Sequence, residues 1–107
     1  MWKILFHRTA SGKDEVNDFI DTLQPQTHSK IVHLIDLLQE YGPAVKMPYV
    51  KRISLHLSEL RVRGKQEVRV FFTIRGFTIY MLHGFIKKSQ KTPQKELKKA
   101  FNRLDNL

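Results

Sequence analysis

At 107 residues, 41% of them hydrophobic and 27% charged, the chain has the size of one domain with a single buried core and is too short for two. It has no cysteine, no apolar stretch near the roughly 20 residues of a membrane span, and an N-terminus, MWKILFHRT, without a signal-peptide apolar region or cleavage site. Disulfide frameworks, thiolate zinc sites and spanning helices are thereby excluded, and a cytoplasmic, membrane-free protein is expected.

The net charge of +9 is segregated: residues 1 to 50 carry five Lys/Arg against six acids, and residues 51 to 107 carry fourteen against four. A basic half of this kind attracts a polyanion, whether nucleic acid, anionic lipid or an acidic protein.

In chain order, WKILFH (residues 2 to 7) suits a first strand. Ser11 and Gly12 followed by Asp14 and Glu15 mark a helix start, and Val16, Phe19, Ile20 and Leu23 follow at helical spacing. Leu23-Gln24-Pro25 interrupts the run. Ile31, Leu34, Ile35, Leu38 and Tyr41 then repeat the stripe until Gly42-Pro43, so the pair reads as a helical hairpin followed by an irregular stretch from Pro43 to Arg52.

From Ile53 the pattern is that of strands: ISLHLSELRVR, EVRVFFTIR and FTIYMLHGFIKK, rich in β-branched and aromatic residues and separated near Gly64 and Gly76, predict an antiparallel three-stranded meander. Thr92-Pro93 predicts an N-cap and first helical position, with Leu97, Ala100, Phe101 and Leu104 as the apolar stripe of a short C-terminal helix. The fold class is α+β over a single domain, residues 1 to 107.

Strand parity assigns the basic residues to a face. A three-residue loop at Gly64-Lys65-Gln66 sets Arg63 opposite Glu67, Arg61 opposite Arg69 and Glu59 opposite Phe71, and it gathers Leu60, Val62, Val68 and Val70 on the other face. Two arginines directly opposed, relieved only by Glu59, suggest that a bound anion supplies the missing counter-charge. A tight turn at Arg75-Gly76 would set Arg69 opposite Leu82 and Phe71 opposite Tyr80, place His83 on the core side with Val68, and bring Lys87 and Lys88 beside the arginine strands.

These residues resemble a known family. SELRVRGKQEVRVFF, then IYMLHGFIKKSQKTP, then a helix with Ala100 and Arg103, in the order strand, two helices, meander and helix, is similar to the HigB branch of the RelE toxin superfamily, whose members include phage-derived Gp49-like proteins. The resemblance spans essentially the whole chain. It implies a RelE-like compact domain and a type II toxin that cleaves mRNA in the ribosomal A site without metal or other cofactor. It also implies neutralisation by a cognate antitoxin, commonly a small helix-turn-helix protein.

Cleavage of this kind requires a proton to leave a ribose 2′-hydroxyl, stabilisation of the phosphorane, and protonation of the leaving 5′-oxygen. The resemblance implies that Arg61 and Arg69 clamp the scissile phosphate, for which the planar guanidinium fork is suited. Lys87 adds charge neutralisation or proton transfer, and Glu59 orients an arginine or acts as a base. Lys88, Lys91 and Arg63 would contact RNA, and Phe71 on the arginine face would stack a base. Some relatives use a C-terminal tyrosine or histidines as the base; here no tyrosine follows Tyr80, and no two histidines have metal-ligand spacing. His83 reads as a core or hydrogen-bonded structural residue. Lys95, Lys98, Lys99 and Arg103 read as a solvated helix face. A non-catalytic basic RNA- or ribosome-binding module is the alternative function, and a phage-derived protein that docks an acidic partner is a third.

Overall fold

The computed structural model describes residues 1–107. Lys3–Phe6 forms β1, and Glu15–Asp21 forms α1. The start of α1 is set by Asp14, whose carboxylate accepts the Asn17 N–H and one Asn17 side-chain N–H, rather than by Ser11 and Gly12. Those two lie in a turn closed by Gly12 N–H donating to the Thr9 carbonyl. Pro25 opens α2 (Pro25–Tyr41) at its first position, where the missing N–H costs nothing. Gly42 ends it at φ +53°, and a Cβ there would lie 2.5 Å from the Trp2 ring, so both the backbone and the packing require glycine.

Val50–Arg52 forms β2, a strand within the stretch expected to be irregular, paired with β3 (Ser58–Val62) through Val50 and Leu60. Residues 53 to 57 are the turn between them, where the Leu57 carbonyl accepts the N–H groups of Ile53 and Ser54. The alternation of ISLHL suggested a strand there, but Ile53 and Leu57 are apolar because the turn folds beneath the sheet into its second core. Val68–Arg75 (β4) and Thr78–Ile86 (β5) follow, and Gln94–Asp105 forms α3. The sheet order is β1-β5-β4-β3-β2, antiparallel except for β1 against β5. The α+β class and element order are those expected; the sheet has five strands because β1 joins the meander and β2 extends it.

Two cores lie on opposite faces of this sheet. Val16, Ile20 and Leu23 of the first helix and its end, and Ile31, Leu34 and Leu38 of α2, pack on Leu60, Val62, Val68, Val70, Phe72, Ile79 and Met81. On the other face Ala100 and Leu104 of α3 cover Phe71, Leu82, Phe85 and Leu57. Tyr41, counted in the stripe of α2, is exposed at its end. Burial of about 1.5 to 3 kcal/mol per large apolar side chain is the main driving term for both layers.

The β3–β4 register is the expected one, with Arg61 opposite Arg69 and Glu59 opposite Phe71. The β4–β5 register differs. The turn is Gly76-Phe77, with Gly76 taking the positive φ that Arg75 avoids, and Arg75 pairs with Thr78. One extra residue, Leu82, then bulges from β5 between the pairs Phe72–Met81 and Phe71–His83. Arg69 therefore faces Phe85 rather than Leu82, and Phe71 faces His83 rather than Tyr80. A one-residue bulge reverses parity, so His83 projects on the Arg69 face and not with Val68. Gly84 leaves room for the helical layer: a Cβ there would lie 2.7 Å from the Phe19 ring.

The start of α3 also departs from expectation. Pro93 is the N-cap in an extended conformation, its carbonyl accepting from Glu96 and Leu97, and Thr92 makes no side-chain cap.

Candidate active site

The centre of the site is set by β3 and β4, whose alternation places Glu59, Arg61 and Arg69 on the α3 face of the sheet. The Nε atoms of Arg61 and Arg69 lie 3.6 and 3.5 Å from one oxygen of Glu59, and neither Nε has a hydrogen-bond partner. Two guanidinium groups thus share one carboxylate at a separation that leaves buried donors free. With Glu67 on Arg69 and Arg63 beside Glu67, three guanidinium groups face two carboxylates, a local excess of positive charge in a setting of reduced dielectric, where an incoming anion is bound more strongly than in water.

Depth separates the two arginines. The side chain of Arg69 is 2% exposed and that of Glu59 4%, whereas that of Arg61 is 14% exposed. Arg69 is fixed by donating from Nη1 to the Val68 carbonyl and from Nη2 to Glu67. Arg61 reaches outward and donates to the Met47 sulfur at 3.7 Å. The expected pairing is present, but only Arg61 meets solvent; Arg69 is a buried charge behind it.

Glu67 adds a second carboxylate at the β3–β4 loop. It accepts from the Gly64 N–H and from Arg69, and lies 3.5 Å from Arg63. The Gly64 N–H first, and then Arg69 and Arg63, hold its carboxyl below the ordinary range against the opposing effect of burial. The Lys87 N–H donates to the Glu67 carbonyl at 2.6 Å, so the end of β5 is tied to this loop. Lys87 is half-buried at the end of β5 and held opposite Glu67 by this bond; the shifted turn and the bulge both displace this end of the strand from the expected register. Lys88 and Lys91 are exposed beyond the strand, and Arg63 is exposed at the loop.

Phe71 lies elsewhere. Its ring is fully buried and stacks on Phe85 at a centroid distance of 5.6 Å, so it belongs to the core beneath α3 and offers no face to a base.

A second polar cluster anchors α3. Nε2 of His83 is 2.9 Å from Glu96, and burial first of all holds the imidazole below its ordinary value of 6.5 although Glu96 opposes this. Arg103 donates from Nη1 to the carbonyl of Leu82, the bulge residue, and from Nη2 to Glu15 of α1. Arg103 is therefore a buried strut between three elements, whereas Lys95, Lys98 and Lys99 form the exposed face. The Arg103 bond lowers the Glu15 carboxyl against the opposing effect of burial. His83 is the hydrogen-bonded structural histidine expected, reached from the opposite face. Parity set Glu67 opposite Arg63 but did not show its bond to Arg69, and Arg103, read as part of a solvated face, is buried against a partner on α1 that lies 88 positions away.

No helix is long and apolar enough to cross a membrane. The family model for phage derived protein Gp49-like (DUF891) matches residues 18–105. No curated protein matches the chain.

Proposed function

The chain belongs to the phage-derived Gp49-like family, a RelE/toxin-like family, and from that premise we propose that it is a HigB-branch toxin that cleaves mRNA on the ribosome. The observation that carries this reading is the pair Arg61 and Arg69, directly opposed on adjacent strands with both Nε donors unpaired, in a cluster where three arginines, Arg63 included, face only Glu59 and Glu67. A phosphate diester, and above all its dianionic phosphorane, supplies the charge this arrangement lacks.

In the proposed reaction the 2′-oxygen attacks the adjacent phosphorus, its proton passes to a base, the P–O5′ bond breaks, and the 5′-oxygen takes up a proton. Arg61 contacts the non-bridging oxygens, and Lys87 neutralises charge at the leaving side or delivers the proton. Arg69 and Glu59 act through Arg61: the buried guanidinium keeps the local potential positive, and the carboxylate orients both forks. Lys88, Lys91 and Arg63 contact the flanking phosphates, a term that weakens with salt.

The proposed partners are mRNA, the ribosome and a cognate helix-turn-helix antitoxin. The test is incubation of the purified protein with mRNA in the presence and absence of translating ribosomes. Cleavage that requires ribosomes supports the reading. Salt-sensitive binding of RNA with no cleavage in either condition would instead establish a basic binding module.

A further inference from the structure

At the outer edge of the sheet, β2 covers β3 only as far as Tyr49, whose carbonyl accepts the Arg61 N–H at 2.8 Å. The preceding residue, Pro48, has no N–H with which to continue the ladder. Beyond this point the edge of β3 is open, and between it and the first half of α2 lies a cavity of about 300 Å³. Leu34, Val62 and Tyr49 line it with Lys30, Arg61 and Arg63, whose ammonium or guanidinium groups are engaged at its margin: Lys30 by the Arg63 carbonyl, Arg61 by Glu59 and Arg63 by Glu67. Tyr49 is 47% exposed. No carboxylate lines the cavity, and the nearest counter-charge to any of its cations is the 3.5 Å contact of Arg63 with Glu67 and the 3.6 Å contact of Arg61 with Glu59. Lys30 donates to the Arg63 carbonyl at 3.0 Å, which holds its ammonium at this edge.

An apolar slot with an aromatic wall and a cationic rim fits a planar base joined to a phosphate better than a free inorganic anion, which needs no slot, or an apolar peptide, which needs no cations. We propose that this notch binds one nucleotide of single-stranded RNA, its base against Tyr49 and its phosphate between Lys30 and Arg63. Arg61 lines the notch and also faces Glu59 and Arg69, so the bound nucleotide adjoins the phosphate under attack. This placement rests on the cleavage reading, whereas nucleotide binding in the notch does not.

The test uses the full chain without ribosomes, titrated with a short single-stranded oligoribonucleotide at fixed salt while methyl resonances and affinity are followed. The methyl groups of Leu34 and Val62 shift on RNA addition. Tyr49→Ala and Lys30→Ala each weaken binding about 5- to 100-fold, and Tyr49→Phe, which keeps the ring, binds as the wild type does. Unaltered affinity in both alanine variants overturns the proposal. So do shifts that avoid Leu34 and Val62, or shifts produced by a polyglutamate peptide but not by RNA. Ribosome-dependent cleavage by the wild type is assayed in parallel. If cleavage persists while the notch shows no RNA binding, only this proposal fails; if the notch binds RNA and no cleavage occurs, only the cleavage reading fails.

Discussion

Arg61 and Arg69 stand opposite each other across β3 and β4, and the Nε of each faces the same oxygen of Glu59, at 3.6 and 3.5 Å. Glu59 therefore lies between two guanidinium groups, of which Arg69 is buried and has a second carboxylate, Glu67, at 3.4 Å. Glu59→Gln removes the charge and keeps the shape, leaving a buried cation with only Glu67 near it. The expected loss is about 3 kcal/mol in urea unfolding. Added phosphate or oligonucleotide raises the stability of the variant more than that of the wild type, since an anion binding the folded form replaces the missing charge. A loss below about 0.5 kcal/mol would show that the carboxylate does not hold the pair together.

Arg103→Met breaks the strut between α3, the β5 bulge and α1. It leaves the Leu82 carbonyl without its donor and Glu15 without its partner, at a cost of about 2 kcal/mol. Native-state hydrogen exchange checks where the loss falls: amides of residues 94 to 105 exchange faster, and those of β4 change least. Uniform acceleration across the sheet would contradict a local strut.

Gly84→Ala brings a methyl group to 2.7 Å from the Phe19 ring and is expected to destabilise by about 1 to 3 kcal/mol. Phe19→Leu in the same chain recovers part of this, a coupling that a double-mutant cycle measures.

Acid weakens the fold through groups whose values are depressed in the folded state. His83 is held below 6.5 by burial first, as is His7, so the unfolded chain takes up protons before the folded one does. Their contribution is complete above pH 6.5 and is lost as the pH falls through the folded values. Glu67 adds a loss of the same sign below its ordinary 4.5. Unfolding midpoints followed downward from pH 7 therefore fall, and fall less steeply in His83→Gln in the range just below 6.5. An identical slope in that variant would contradict the assignment.

Much of the fold was legible because each helix buries a stripe at 3.6-residue spacing and the β3–β4 hairpin admits only one register that segregates arginine from valine. The pairing of Arg61 with Arg69 followed directly from that parity. The β4–β5 register was not legible, since no residue in YMLHG marks Leu82 as an extra residue; the bulge is stabilised by Arg103, which is 21 positions away. With it went the side assigned to His83. Burial of Arg69 and Phe71 was equally hidden, because alternation gives the face of a strand and not what covers it. Strand β2 was missed because only three residues pair, and the apolar turn that follows imitates a strand.

The central proposal is that Arg61, the more accessible arginine of the pair, and Lys87 carry out RNA cleavage. It is tested most directly by mapping mRNA 5′ ends after induced expression of the wild type, Arg61→Ala and Lys87→Ala. The wild type arrests growth and generates new 5′ ends within translated reading frames, and each variant reduces their formation about 100-fold or more at undiminished folded protein. Undiminished cleavage and toxicity in both variants would contradict the claim.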